Sequence, residues 1–175
     1  MDTSWRAKKP ADDEFSPFYD GYVKRAPDGD IVETMDSQLA ETLSLLRSLP
    51  ESMGDHSYAP GKWTIREVIG HLSDAERVFS YRALRFSRGD TAPLEGFDEN
   101  QYVANGAFGK RTLDDLIGEF EHLRKSSIHL FGGLTREAFS MRGIASGKEI
   151  TVRAIAFILP GHEAHHLALL RTRYL

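Results

Sequence analysis

Four long stretches of this chain repeat apolar residues at steps of three and four, the spacing that puts them on one face of an α-helix. These stretches predict helices over residues 30–49, 64–88, 112–131 and 151–173. Asp30 can cap the first helix, and Thr64 with Glu67 forms a capping box at the second. Four amphipathic helices without a convincing strand predict an all-α fold, a four-helix bundle.

The segments between the helices are polar or punctuated by proline and glycine. Residues 1–29 mix prolines and glycines with aromatic residues, which predicts an N-terminal arm that covers apolar surface of a bundle domain formed by residues 30–175. Residues 90–111 predict a crossover loop with one short helical turn. Residues 134–150 predict a polar connection with a turn of helix and a hairpin-like excursion near residues 143–147.

The composition of the chain argues against some classes of binding partner. The 175 residues are 41% hydrophobic and 27% charged with a net charge of -4, as expected for one soluble globular domain. An acidic chain without a basic cluster argues against nucleic acid. Because there is neither an apolar run of about 20 residues nor a signal sequence, we expect no membrane association and a cytoplasmic location.

The chain contains no cysteine. No disulfide, thiolate metal ligand or cysteine nucleophile is therefore possible, and any thiol chemistry must use an external thiol. Histidine, aspartate and glutamate are the side chains left to bind a metal. Imidazole-rich sites accept zinc, nickel, iron or copper, and the sequence does not choose among them.

The histidines carry the strongest chemical signal. His162 and His166 lie one turn apart in the last helix, at about 40° in azimuth, whereas His165 is about 100° from His166. His71 lies on the apolar stripe of the second helix. A single histidine in such a place is more often a core residue bonded to a carbonyl or carboxylate, but one metal ion would satisfy three buried imidazoles at once.

Three protein ligands leave a coordination position open for chemistry. The remaining histidines, His56, His122 and His129, lack an apolar context and are predicted to lie on the surface or in loops.

The run from His162 to His166 also matches H-E-x-x-H, the zinc-protease signature. The match is weak, because the chain ends nine residues later and cannot supply the usual downstream ligand. Glu163 could act as a general base, as in those enzymes. The alternative is a glutamate on the helix surface that forms ion pairs.

Two motifs together resemble a known family. The run GKWTIREVIGHLSD at residues 61–74, followed by GHEAHH at residues 161–166, is similar to the DinB/YfiT-like superfamily of metal-binding four-helix bundles, over most of residues 15–175. The resemblance implies an up-up-down-down bundle, often a homodimer, with His71, His162 and His166 holding nickel, zinc or another divalent ion. It also implies that Trp63 is structural and closes the bundle end.

The resemblance implies small-molecule chemistry. Our first hypothesis is a metal-dependent transferase that uses a low-molecular-weight thiol, with Arg82, Arg85 and residues 97–102 as candidate contacts for the thiol's carboxylates, although basic residues on a helix usually face solvent. The second is a metal-dependent hydrolase. The third is a non-catalytic binding or stress protein whose ion only braces the helices.

Overall fold

A computed structural model describes residues 2–175 of the chain. The fold is all-α, a four-helix bundle with one small hairpin. The four helices of the bundle are α2, α3, α5 and α7, and shorter elements connect them. The helices are α1 (Asp20–Arg25), α2 (Ile31–Arg47), α3 (Ile65–Ser87), α4 (Glu99–Asn105), α5 (Leu113–Gly132), α6 (Arg136–Phe139) and α7 (Val152–Leu169), and the strands are β1 (Arg142–Ala145) and β2 (Lys148–Thr151).

The helix ends follow the sequence prediction closely. The side chain of Asp30 accepts a hydrogen bond from the Val32 amide, and Thr64 and Glu67 form the predicted capping box. Thr112 and Thr151 cap α5 and α7 in the same way, each accepting a bond from an amide three residues on. Beyond α7 the chain adds a π-helical turn, Leu170–Tyr174.

Of the four bundle helices, α2 lies diagonally opposite α3, and α5 lies diagonally opposite α7. The helix α5 packs on α2 and α3, and α7 completes the ring by packing on α3 and α2. This arrangement requires long connections. Residues 88–112 return along α3, since Phe108 packs against Gly70 near the start of that helix.

The helix directions correct one expectation. Gln38 bonds Pro160 and Thr42 bonds Glu163, so α2 and α7 run parallel. The Arg47–Glu121 pair and the approach of Val32 to Gly132 make α2 antiparallel to α5. The return of residues 88–112 makes α3 parallel to α5, so the order is up-down-down-up and not the up-up-down-down order that the resemblance implied.

The two predicted connections contain the expected short elements. The helix α4 lies in the crossover loop, and α6 precedes an antiparallel hairpin in which Arg142 pairs with Thr151 and Ala145 with Lys148. Ser146 and Gly147 form the tip of the hairpin, both with positive φ. The bonds of Leu94 to Ile144 and Ser146 fasten the crossover loop to this hairpin.

The N-terminal arm lies on the last helix of the bundle. It consists of three 3₁₀ turns (Ser4–Ala7, Asp12–Glu14 and Pro17–Tyr19) and α1, which packs along α7. The arm and α7 approach each other closely at Gly161, where an added Cβ would lie 1.9 Å from the carbonyl oxygen of Tyr22. Only glycine permits this contact, so the Gly161 of the second motif has a packing role.

Within residues 2–175, no helix has the length and apolar character needed to cross a lipid bilayer.

Candidate metal centre

Three imidazole rings from two helices converge in the bundle interior. His71 lies in the second turn of α3, and His162 and His166 lie one turn apart on α7. The Nε2 atom of His162 is 3.0 Å from Nε2 of His71 and 3.1 Å from Nε2 of His166. The ligand atoms of all three lie within 4.8 Å of one another. The structure thus brings together the three histidines that the sequence singled out.

Burial keeps these rings neutral. All three are at least nine-tenths buried. Desolvation lowers the pKa of His71 to about 4. Desolvation, together with the neighbouring His71 and His165, lowers the pKa of His166 to about 3. The pKa of His162 falls well below its ordinary value, first because of desolvation and then because of the other histidines. A neutral imidazole is the form that binds metal ions.

The geometry fits a metal ion better than it fits three histidines alone. One imidazole nitrogen offers either one lone pair or one proton, so hydrogen bonds among three Nε2 atoms leave at least one unsatisfied. Metal–nitrogen bonds of about 2.0–2.1 Å would put neighbouring ligand nitrogens roughly 3.0–3.4 Å apart, depending on the coordination angle. The observed separations of 3.0 and 3.1 Å agree with this spacing.

No fourth histidine, aspartate or glutamate joins this group within residues 2–175. His165 lies beside it, with its ring 5.1 Å from that of His166, but it is not among the converging ligand atoms. His56, His122 and His129 are exposed, as predicted. The arrangement can therefore offer three nitrogen ligands and leave the other positions to solvent or substrate.

Aromatic rings hold the imidazoles in place. The ring of Trp63 lies 4.7 Å from that of His71 and is stacked near His166, at 6.4 Å with an interplanar angle of 20°. Tyr22 of the arm meets His162 edge-on at 5.3 Å and His165 at 5.6 Å. These contacts restrict the orientation of the imidazole rings. They come from two separate segments of the chain, the N-terminal arm and the residues just before α3.

A cavity of about 450 Å³ opens above the three histidines, which form part of its lining. This volume is in the range of small-molecule sites. The arm contributes Phe18, Tyr19 and Tyr22, and the bundle contributes Trp63 and Phe79. Phe97 and Glu99 from the crossover segment and Ser146 and Lys148 from the hairpin complete most of the wall.

Glu163 points away from this cavity. Its side chain is fully buried, where Arg124 binds one carboxylate oxygen and the hydroxyl of Thr42 donates to the other at 2.5 Å. The expected ion pair is present, but the expectation that it lies on the helix surface is wrong. The reason is that Arg124 occupies the interior stripe of α5 and needs a buried partner.

Arg124 also binds a second carboxylate. Its Nε and Nη2 atoms donate to Glu76 at 3.0 and 2.8 Å. Burial opposes the charge on Arg124, yet the two carboxylates raise its pKa further above the ordinary value, so it stays protonated. Thr42, Glu76, Arg124 and Glu163 lie on α2, α3, α5 and α7, and this buried network joins all four helices of the bundle directly beside His162.

The residues that the sequence suggested as contacts for a thiol's carboxylates lie in different environments. Arg82 is only 2% exposed, contrary to the general expectation for a helix arginine, and it donates to the carbonyl of Glu95 and the hydroxyl of Ser146. Arg85 binds Asp90 and Tyr81 and does not line the cavity. Of residues 97–102, Phe97 and Glu99 reach the cavity wall.

Sequence reasoning missed several residues of the site. Trp63 was expected to be only structural and the arm only to cover apolar surface, yet both line the cavity. One signal was available for the buried network, because Glu76 and Arg124 continue the apolar stripes of their helices at three- and four-residue steps. Nothing in the periodicity indicates where an irregular arm will pack.

The comparisons with known proteins agree with this architecture. The family model described as the DinB superfamily matches residues 34–170, most of the chain. The chain belongs to the DinB superfamily. This DinB protein is 26% identical over 139 residues to a protein of Oceanobacillus iheyensis named "Putative metal-dependent hydrolase OB0413", and the match covers 78% of each chain. A Bacillus licheniformis protein with a corresponding name is 28% identical over 147 residues, covering 78% of this chain and 81% of its own.

Two solved structures share the fold of this DinB protein. YfiT from Bacillus subtilis, described as "a probable metal-dependent hydrolase with an unusual four-helix bundle topology", superposes with a TM-score of 0.69 at 20% identity, over 94% of this chain and 92% of its own. A mycothiol-dependent maleylpyruvate isomerase superposes with a TM-score of 0.61 at 17% identity, over 85% of this chain and 59% of its own. At these identities the likeness concerns the fold.

Proposed function

We propose that this protein is a metal-dependent hydrolase of a small molecule, with a divalent ion held by His71, His162 and His166. The observation that carries the proposal is the convergence of three buried, neutral imidazole nitrogens at the base of a small-molecule cavity. The curated relatives named as metal-dependent hydrolases support the choice of reaction. A divalent ion at such a site supplies Lewis acidity, which activates water and polarises a carbonyl group.

The protein's own residues have three tasks in this proposal. The two helices α3 and α7 present the imidazoles in one fixed arrangement. The aromatic wall around them limits the access of bulk water and places the substrate. Glu163 is committed to Arg124 and Thr42, so we assign it to holding α7 in register and not to proton transfer at the substrate.

Thiol transfer is the second candidate, and one observation favours it specifically. A solved structure with this fold is a mycothiol-dependent maleylpyruvate isomerase. A chain without cysteine is compatible with a reaction that uses an external thiol. In this reading the same three histidines hold the ion, and the external thiol enters the cavity above them. The non-catalytic reading is less well supported, because the described residues supply three ligand atoms and leave an open cavity beside them.

One experiment distinguishes hydrolysis from thiol transfer. Protein purified without an affinity tag and loaded with zinc or nickel is incubated with panels of esters and amides, with and without a low-molecular-weight thiol. Hydrolysis that needs the metal but no thiol supports the proposal. Turnover only with thiol would support the transferase, and equal turnover by wild type and His162→Ala would contradict a role for the histidines in either reaction.

A further inference from the structure

The walls of the cavity are made of aromatic rings from four separate parts of the chain. Tyr19 and Tyr22 come from the arm, Trp63 precedes α3, Phe79 lies on α3 and Phe97 lies in the crossover loop. Aromatic side chains offer large apolar faces and edges that pair well with another ring. Because four segments contribute to this wall, it forms only when the chain folds. The apolar stripe of a single helix would not produce it.

Contacts with one another and with Arg82 hold three of these rings, Tyr19, Phe79 and Phe97. Tyr19 meets Phe79 edge-on, with ring centroids 5.8 Å apart. The guanidinium carbon of Arg82 lies 5.4 Å from the ring centre of Phe79 and 6.0 Å from that of Phe97. Arg82 also donates hydrogen bonds to Glu95 and Ser146, which ties the crossover loop and the hairpin to α3 behind the wall. The rings are therefore preorganised, which reduces the entropy lost when a ligand binds.

The charged groups of the cavity are at its mouth. Glu99 and Lys148 both line the cavity and both are exposed, whereas Trp63, Phe79 and the histidines are deeper. The interior thus offers mostly apolar ring surface next to the imidazole nitrogens. A heavily hydroxylated ligand would lose bonds to water against these ring faces.

We propose that the group bound beside the three histidines is an aromatic ring, so that the substrate is an aromatic carboxylic acid derivative such as an aryl-substituted ester or amide. The inference rests on the proposed function only for the nature of the bond that reacts. The ring-binding part does not depend on the metal, because it rests on the aromatic wall formed by Trp63, Phe79 and Phe97. The N-terminal arm, through Tyr19 and Tyr22, adds a further side to this wall.

The first test needs no metal. In metal-free protein, benzyl alcohol is titrated while the indole N–H signals of the two tryptophans are followed by NMR, with 1-propanol as the matched apolar alcohol without a ring. Trp5 packs on Phe139 outside the cavity and is an internal control. We expect benzyl alcohol to shift the Trp63 signal saturably and leave the Trp5 signal unchanged. An unmoved Trp63 signal would overturn the inference whatever the metal chemistry.

The second test places the ring beside the metal site. Phenylacetohydroxamate and acetohydroxamate differ by a phenyl group and share a metal-chelating end. For zinc-loaded protein we expect the phenyl compound to bind at least tenfold more tightly by calorimetry. Phe97→Ala should bring the ratio down toward one, whereas Tyr81→Ala, an exposed aromatic of the same size class outside the cavity, should preserve it.

The outcomes distinguish this inference from the proposed function. A wild-type ratio within twofold overturns the aromatic site and leaves a metal-dependent hydrolase intact. A shifted Trp63 signal in a protein that binds no zinc would contradict the proposed metal site and support the aromatic cavity. A ratio unaffected by Phe97→Ala would show that the phenyl group lies elsewhere and would also overturn the inference.

Discussion

The guanidinium of Arg124 binds the carboxylate of Glu163, the residue that directly follows the candidate ligand His162. The pair is buried, with Arg124 1% exposed and Glu163 0% exposed. Since Glu76 and Thr42 complete the network, the turn of α7 that carries His162 is linked to α2, α3 and α5. The same helix turn thus faces the three imidazoles on one side and the buried charged network on the other.

Removing the cation from this network should be costly. In Arg124→Met the carboxylates of Glu76 and Glu163 lose their buried partner, and we expect the free energy of unfolding to fall by about 3–5 kcal/mol. Urea denaturation measures the loss. The neighbouring Lys125→Met removes an exposed pair with Glu121 and should change little. Equal losses in the two variants would show that the buried network does not stabilise the fold.

Glu163→Gln separates a positioning role from a role as ligand. The amide keeps the size of the side chain but loses the charge that binds Arg124, so we expect a stability loss of about 1.5–3 kcal/mol. Because Glu163 points away from the three imidazoles, bound metal should remain at the wild-type stoichiometry by mass spectrometry of the metal. A variant that is stable but has lost its metal would contradict this placement.

The packing of the arm against α7 depends on the absence of a side chain at Gly161. In Gly161→Ala the new Cβ would lie 1.9 Å from the carbonyl oxygen of Tyr22, so α1 must shift away from α7. Overpacking of this kind costs about 1–3 kcal/mol. Gly118→Ala, in the middle of α5 with nothing within 4 Å of the added carbon, is the matched control and should be neutral or stabilising. Thermal unfolding of both variants compares the two sites. Two unchanged melting temperatures would mean that the arm is not closely packed.

Acid should weaken the attachment of the arm to the hairpin. Burial alone would raise the pKa of Glu14, but hydrogen bonds from Arg153, the Ala11 amide and Thr151 outweigh it, and its pKa lies below the ordinary value. A group with a lowered folded-state pKa stabilises the fold above its unfolded pKa of about 4.3 and loses that contribution as the pH falls through the folded value.

The variant Glu14→Gln tests this linkage. We expect it to be less stable than wild type at pH 7, with the difference shrinking as the pH falls below about 4. Unfolding free energies measured at a series of pH values provide the comparison. If the unfolding free energies of the two proteins differ by a constant amount across this pH range, the ionisation of Glu14 is not linked to folding.

The bundle and the histidine cluster could be predicted from local patterns, because caps and apolar stripes are encoded within a few neighbouring residues. Asp30, Thr64 and the i, i+4 pair His162 and His166 are examples. The directions of the helices could not be predicted in this way, since they depend on how residues 88–112 cross the bundle. The buried position of Arg82 likewise depends on bonds to Glu95 and Ser146, which come from other segments.

The cavity wall shows the same limit. Tyr22 reaches the histidines only because α1 packs against Gly161, a long-range contact between the arm and α7. Aromatic residues in an irregular arm suit many surfaces, and the sequence does not say which one they cover. The histidines at the base of the cavity were therefore visible in the sequence, whereas the shape of the cavity wall was not.

The most direct test of the account is the metal content of three proteins purified without an affinity tag: wild type, His162→Ala and the matched control His165→Ala. We predict one divalent ion per chain for wild type and for His165→Ala, no ion for His162→Ala, and a melting temperature that rises with added metal in the first two. Full metal occupancy in His162→Ala, in a protein with wild-type circular dichroism, would contradict the proposed centre.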